Sequence, residues 1–183
     1  KESIKIKELR ILYNDIEKNK KDTDYTENII SHEIKIIQSI LEDYEFTKNN
    51  ILTTRGVIAS NIQEVHCLVF GMFIDKKVFN PLTAKELICI LSCFSNISIP
   101  YNERQPRPTN IPLNIQIIIE KIQEYYFIFH QIENNNYLQL EDNYNMHFEL
   151  CDLILQWCDA DNENDCKIIY QKISQRGIFL GEF

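Results

Sequence analysis

Over residues 113–133 the chain reads LNIQIIIEKIQEYYFIFHQIE, in which Ile115, Ile118, Ile122, Tyr126, Phe129 and Ile132 recur at steps of three and four. Residues spaced in that way share one side of an α-helix, so the stretch predicts a helix of about five turns with a single apolar face. A face of that length needs other helices to cover it. Pro100, Pro106, Pro108 and Pro112 precede it. Each lacks an amide hydrogen and disfavours helix in its predecessor, so residues 100–112 are expected to form an extended, protease-sensitive loop. Before the loop, Thr83 and Glu86 form a T-x-x-E capping box, and Leu87, Leu91 and Phe94 follow at helical spacing, predicting a helix over residues 84–95.

Other segments carry the same period. Ile30, Ile34, Ile37, Leu41 and Tyr44 predict an amphipathic helix ending before a polar turn at Lys48-Asn49-Asn50, while residues 1–21 carry Ile4, Ile6, Leu9, Leu12, Tyr13 and Ile16, a moderately helical pattern broken by residues 22–26. Ser60 with Gln63, and Asn61 with Glu64, each have capping-box spacing, so a helix is expected to start at Asn61 with Ile62, Val65, Val69 and Met72 or Phe73 as its buried stripe. Beyond the Asn134-Asn135-Asn136 break, Phe148, Cys151, Leu155 and Cys158 form a stripe with Ile154 and Trp157 beside it. The acidic residues 159–165 read as a solvated loop and N-cap. Cys166, Ile169, Tyr170 and Ile173 then predict a short helix that Gly177 ends in a left-handed conformation.

Composition agrees with these helices. At 183 residues the chain is one large domain or two small ones, and its 44% hydrophobic content is that of a globular protein with its own core. Four glycines and five prolines are too few for the turns of a sandwich or barrel, or for a glycine-rich phosphate loop. The fold class is therefore all-α, a bundle of about six to seven helices. Residues 1–25 are expected to be a helical lead-in, a remnant of a preceding winged-helix or arch element, and residues 26–183 the bundle.

The net charge of −8, from 19 basic and 27 acidic side chains, argues against a generic electrostatic clamp on nucleic acid. Cys67, Cys89, Cys93, Cys151, Cys158 and Cys166 lack the C-x-x-C pairs of a zinc ribbon and read as reduced, buried thiols. Cys89 and Cys93 lie one helical turn apart, but spacing alone supplies no convergent ligand set, so no metal is expected. No apolar run reaches the roughly 20 residues needed to span a bilayer and the Lys/Glu-rich start is unlike a signal peptide, so no membrane partner is expected and the compartment is expected to be reducing, nuclear or cytoplasmic. His32, His66, His130 and His147 accompany no nucleophile, and no acid/base pair suggests a free-standing enzyme. The aromatic set Tyr125, Tyr126, Phe127 and Phe129 reads as core, not as a base-stacking platform.

Several stretches, taken together, resemble a known family. They are Thr54-Arg55-Gly56-Val57-Ile58-Ala59-Ser60-Asn61-Ile62 followed by Glu64, then Phe79-Asn80-Pro81-Leu82-Thr83-Ala84-Lys85-Glu86-Leu87, and Leu91-Ser92-Cys93-Phe94. In order and spacing they resemble the C-terminal helical (DSHCT) domain of exosome-associated, superkiller-type DExH-box RNA helicases. In that family a G-R-V-A-like turn leads to a helix with an early Glu, and an F-N-x-L-[ST]-x-x-E segment enters a helix ending L-L-S-C-F. Weaker similarity continues at residues 152–157 and 177–183, while the acidic residues 159–165 replace a small Gly-containing turn. The resemblance spans about residues 29–183, and the family pattern continues into a basic final helix past residue 183.

The resemblance implies a non-catalytic domain that packs on two RecA-like motor domains of the same polypeptide and contacts single-stranded RNA during 3′–5′ unwinding. ATP and Mg²⁺ would be bound by those motor domains, and no cofactor by this segment, which has no G-K-[ST] or D-E-x-H motif. It also implies that the helix expected at Asn61 lines the RNA channel. Glu64 in its first turn would face the RNA beside Asn61, and Arg55 near the same end would meet a phosphate. The bland readings are a capping role for Glu64 and a solvated Arg55. A rival reading is a helical interaction module that docks an RNA-decay complex without touching nucleic acid, which the net charge favours.

Overall fold

The computed structural model describes residues 2–99, 104–138, 140, 144–179 and 181, with side chains from residue 9 onward. Pro100, the side chains of Ile4 and Ile6, and Leu180, Glu182 and Phe183 of the weaker family-like segment lie outside the described residues. Among the described residues there are seven α-helices and two strands of two residues each, so the fold is all-α. None of these helices is long and apolar enough to cross a membrane. The chain forms two compact units, Lys1–Ile51 and Leu52–Phe183.

The first unit is dominated by α1 (Glu2–Asp43), which runs unbroken through residues 22–26, where the sequence reading placed an interruption. The Thr23 and Thr26 hydroxyls donate to the carbonyls of Asn19 and Asp22 at 2.8 Å. They are thus satisfied along the helix, and no Gly or Pro is present there to stop it. Ile30 and Ile34 stay half exposed, whereas Ile37, Leu41 and Tyr44 are partly covered. Strands β1 (Thr47–Lys48) and β2 (Ile51–Leu52) then pair through Asn49 and Asn50, whose φ of 52° and 61° make the tight turn that favours Asn.

The second unit is the bundle: α2 (Thr54–Ser60), α3 (Cys67–Asp75), α4 (Ala84–Leu91), α5 (Leu113–Asn135), α6 (Cys151–Cys158) and α7 (Glu163–Gln175). α5 is its central element, contacting α3 and α4; α2 packs on α3, and α6 packs on α4 and α7. The stripe read from the sequence is buried at Ile115, Ile118, Ile122, Tyr126 and Phe129, joined by Ile119, while Ile132 at its end is half-buried. Each such side chain contributes at most about 2–3 kcal/mol through burial. Phe127 departs from the expected core, at 65% exposure, because it lies off the stripe set by Tyr126 and Phe129.

The Thr83 capping box forms in both directions: the Glu86 amide donates to Thr83 Oγ1 at 3.3 Å and the Thr83 amide to Glu86 Oε2 at 2.8 Å. Asn114 at the start of α5 also donates to Glu86, and these bonds hold its carboxyl below the usual range. α4 stops at Leu91, earlier than the expected residue 95, and tightens into a single 3₁₀ turn, Ser92–Phe94. There the Ser92 hydroxyl donates to the Cys89 carbonyl at 2.7 Å. At α6 the buried residues are Cys151, Leu153 and Ile154, while Cys158 is exposed and Leu155 and Trp157 are half-buried, so the expected Phe148–Cys158 stripe is shifted. Arg176 grips Asp152 with two bonds, Nη1 to Oδ1 at 2.7 Å and Nη2 to Oδ2 at 2.8 Å, joining the end of α7 to the start of α6.

Four helices end in one pattern. After α1, α3, α5 and α7 the residues Glu45, Lys77, Tyr137 and Gly177 adopt φ of 61°, 56°, 55° and 73°. The next amide returns to a carbonyl five residues back: Phe46 to Leu41, Val78 to Phe73, Leu138 to Glu133 and Ile178 to Ile173. These are Schellman stops. Only Gly177 was legible as one, since the other three place L side chains in a region that costs them about 1 kcal/mol.

Candidate nucleic-acid interface

The sequence reading placed its RNA-facing residues on a helix starting at Asn61. The structure instead has two short helices, α2 and α3, with residues 61–66 between them. Local hydrogen bonding explains the break. The Ser60 hydroxyl donates backward to the Val57 carbonyl at 2.9 Å, and Asn61 Nδ2 donates to the same carbonyl at 2.7 Å. Both side chains therefore close α2 rather than open a new helix, and neither expected capping box appears. The true caps are Thr53, which accepts from the Gly56 amide at 3.2 Å, and His66, whose Nδ1 accepts from the Val69 amide at 3.4 Å.

Glu64 is accordingly not in a first helical turn. It lies exposed in the bend between the helices, as does Asn61 at the end of α2. Ile62 and Val65, expected in the stripe, are half-buried in the same connection, whereas Val69, Met72 and Phe73 are buried as read. Arg55 sits at the opposite end of α2 from Asn61, about 9 Å away at the helical rise per residue. Its Nε bonds Asp75 Oδ2 at 2.9 Å, with side chains 12% and 28% exposed. Asn61 and Glu64 are thus both exposed at the α2–α3 connection, whereas Arg55 is at the far end of α2 and paired with Asp75.

The α2–α3 pair is held unusually close. A Cβ built on Gly71 would lie 2.8 Å from the Ala59 Cβ and 3.2 Å from its Cα, so two small residues let the helices touch. At the other end of the connection His66, 4% exposed, packs its ring against Tyr126, Phe129 and Tyr144 with centroids 5.5, 5.3 and 5.0 Å away. Because Nδ1 accepts from Val69, the proton belongs on Nε2, which lies 3.2 Å from the Tyr144 hydroxyl. Tyr144 in turn donates to the buried Glu133 at the end of α5. His66, Tyr144 and Glu133 therefore form one directed chain of hydrogen bonds. No sequence spacing marks this chain, because its members are 78 and 11 residues apart.

Elsewhere, a shallow cleft between α6 and α7 is lined by Asp159, Asp165, Ile168 and Lys172, but Asp159 is ion-paired with Lys85 and Lys172 donates to Gln156. Among the described residues no group of three or more His, Cys, Asp or Glu side chains is placed to hold a metal ion.

A family model described as the DSHCT (NUC185) domain matches residues 49–166. The chain belongs to the DSHCT family. DSHCT domains are the C-terminal domains of Ski2-like helicases, which gives this chain the role of a helicase C-terminal domain. The DSHCT match takes in α2 to α6 and the first turn of α7, including the whole α2–α3 hairpin. The parts of the resemblance at residues 29–48 and 167–183 fall outside it. No curated protein matches the chain.

Proposed function

We propose that this DSHCT domain packs on the RecA-like motor domains of its own polypeptide and touches single-stranded RNA through the connection between α2 and α3. The observation that carries the reading is that a short, solvent-facing segment bearing Asn61 and Glu64 projects from a hairpin fixed at both ends, by the Gly71–Ala59 contact and by buried His66. Asn61 offers an amide donor and acceptor, and Glu64 a carboxylate that accepts from a base amine or a 2′-hydroxyl. A carboxylate repels phosphate, so the contact is to bases or sugars, and with a net charge of −8 most affinity comes from the motor domains. Arg55, paired with Asp75, enters as the residue that fixes α2 against α3 rather than as a phosphate contact.

The domain's part in the cycle is to hold the strand while the motor domains, with their ATP and Mg²⁺, open and close. In the full helicase, the double variant Asn61→Ala/Glu64→Ala is expected to lower 3′–5′ unwinding about tenfold, a loss near 1.4 kcal/mol, while ATPase without RNA stays unchanged. Unwinding equal to the parent refutes the contact.

The rival reading, a module that docks an RNA-decay complex without nucleic-acid contact, is favoured by the acidic charge and by Ile88 and Leu91 of α4, 47% and 44% exposed. It predicts that Ile88→Asp abolishes recovery of that complex while unwinding persists, and that no RNA crosslinks to residues of this domain.

A further inference from the structure

Two cysteines one helical turn apart meet a third, some sixty residues further along the chain, inside the bundle, in a place the proposed RNA contact does not use. Cys89 lies in α4, Cys93 in the 3₁₀ turn that follows it, and Cys151 is the first residue of α6; all three are 0% exposed. Cys93 Sγ lies 3.3 Å from Cys151 Sγ, while the Cys89 thiol donates to the Cys151 carbonyl at 3.4 Å and the Cys93 thiol points at the Cys89 carbonyl at 3.7 Å.

The three thiols are not equivalent. The adjacent Cys89 and Cys93 thiols pull the Cys151 thiol down against its burial, whereas the neighbouring Cys151 sulfur and burial push Cys89 and Cys93 up. A position at the start of a helix acts in the same direction on Cys151. The cluster therefore contains one sulfur favoured as nucleophile and a thiol beside it able to resolve the product.

We propose that Cys93 and Cys151 are an oxidation site, at which a peroxide-class oxidant forms a disulfide pinning the 3₁₀ turn after α4 to the first turn of α6. The Cys151 thiolate attacks one peroxide oxygen; the O–O bond breaks, and the departing hydroxide takes up the proton released from that thiol and leaves as water. Cys151 is then a sulfenic acid. The Cys93 sulfur attacks the Cys151 sulfur, the S–O bond breaks, and the hydroxide departs with the Cys93 proton as a second water. Two thiols are oxidised and one peroxide is reduced. Access requires local opening, and the 3₁₀ turn and the non-helical residues 144–150 that precede α6 are the elements able to open without unfolding α5.

The test treats the folded chain with hydrogen peroxide, alkylates the remaining thiols after denaturation, and maps peptides without reduction by tandem mass spectrometry. Exposed Cys158 reports that oxidant has reached the protein. The expected product is a single crosslink between Cys93 and Cys151, lighter by two hydrogens, reversed by a reducing agent and absent in Cys93→Ser. Cys89→Ser is expected to retain it, which keeps the test valid if Cys93→Ser folds poorly. Recovery of Cys93 and Cys151 as alkylated thiols when Cys158 is fully oxidised, or a crosslink that joins other cysteines, overturns the proposal.

Discussion

Replacing Gly71 by Ala sets two effects of opposite sign against each other. In an α-helix interior Gly→Ala ordinarily stabilises by about 1 kcal/mol, since alanine loses less backbone entropy. Here the added methyl meets the Ala59 Cβ at 2.8 Å and its Cα at 3.2 Å, about 1 Å inside a comfortable carbon–carbon contact. The obstacle is another helix, not the end of a flexible side chain, so α2 and α3 must part. Overpacking of this kind costs up to about 3 kcal/mol, which leaves a net destabilisation of about 1–2 kcal/mol. Urea unfolding followed by circular dichroism is the assay, and the midpoint should fall at constant slope. The expected drop in Tm is about 2–4 °C per kcal/mol for a chain of this size. Ala59→Gly in the same chain should recover part of the loss, giving a coupling of about 1 kcal/mol between the two sites. If Gly71→Ala alone raises stability, or if the two changes simply add, the close approach of the helices does not exist.

Three further outcomes follow from the geometry. Lys77→Gly should stabilise the fold by about 0.5–1 kcal/mol, because it relieves a left-handed lysine at a Schellman stop, and thermal melts would show it. Asp152→Asn should cost about 2 kcal/mol in urea titrations, since it leaves the half-buried Arg176 without its bidentate partner charge. Stability should also fall with acid in two stages. Burial and the Arg104 charge hold the His147 ring below the usual imidazole range, so the unfolded chain takes up that proton first and stability declines as pH drops below about 6.5. Against its burial, Arg176 holds the Asp152 carboxyl below its ordinary value, as Asn114 and Thr83 hold that of Glu86, so the second decline starts at about pH 4 and should be weaker in Asp152→Asn.

Where a segment's structure is decided by its own residues, the sequence was readable. Residues 113–133 matched α5 to within two residues, Thr83 and Glu86 made their box, and Gly177 stopped α7, each a local signal with one outcome. Residues 60–64 failed because Ser60 and Asn61 are equally suited to closing the helix before them and opening one after, and nothing in their spacing chooses. Residues 22–26 failed because polarity without Gly or Pro does not stop a helix whose threonines bond along its own axis. The partners of His66 and the meeting of Cys89, Cys93 and Cys151 were invisible for another reason: they are products of packing between distant segments. Of the candidate site, the sequence placed Asn61 and Glu64 on a single helix, and the two-helix arrangement that leaves them in an exposed connection was not legible.

The chain of bonds through His66 also sets an order of assembly. The segment bearing Asn61 and Glu64 is anchored to a tyrosine 78 positions downstream and, through it, to the last turn of α5. During synthesis from the N-terminus, then, α2 and α3 emerge long before their anchor exists. The connection between α2 and α3 takes its final shape only after α5 and the residues up to Tyr144 have been made, so a product truncated before Tyr144 leaves that connection an untethered hinge.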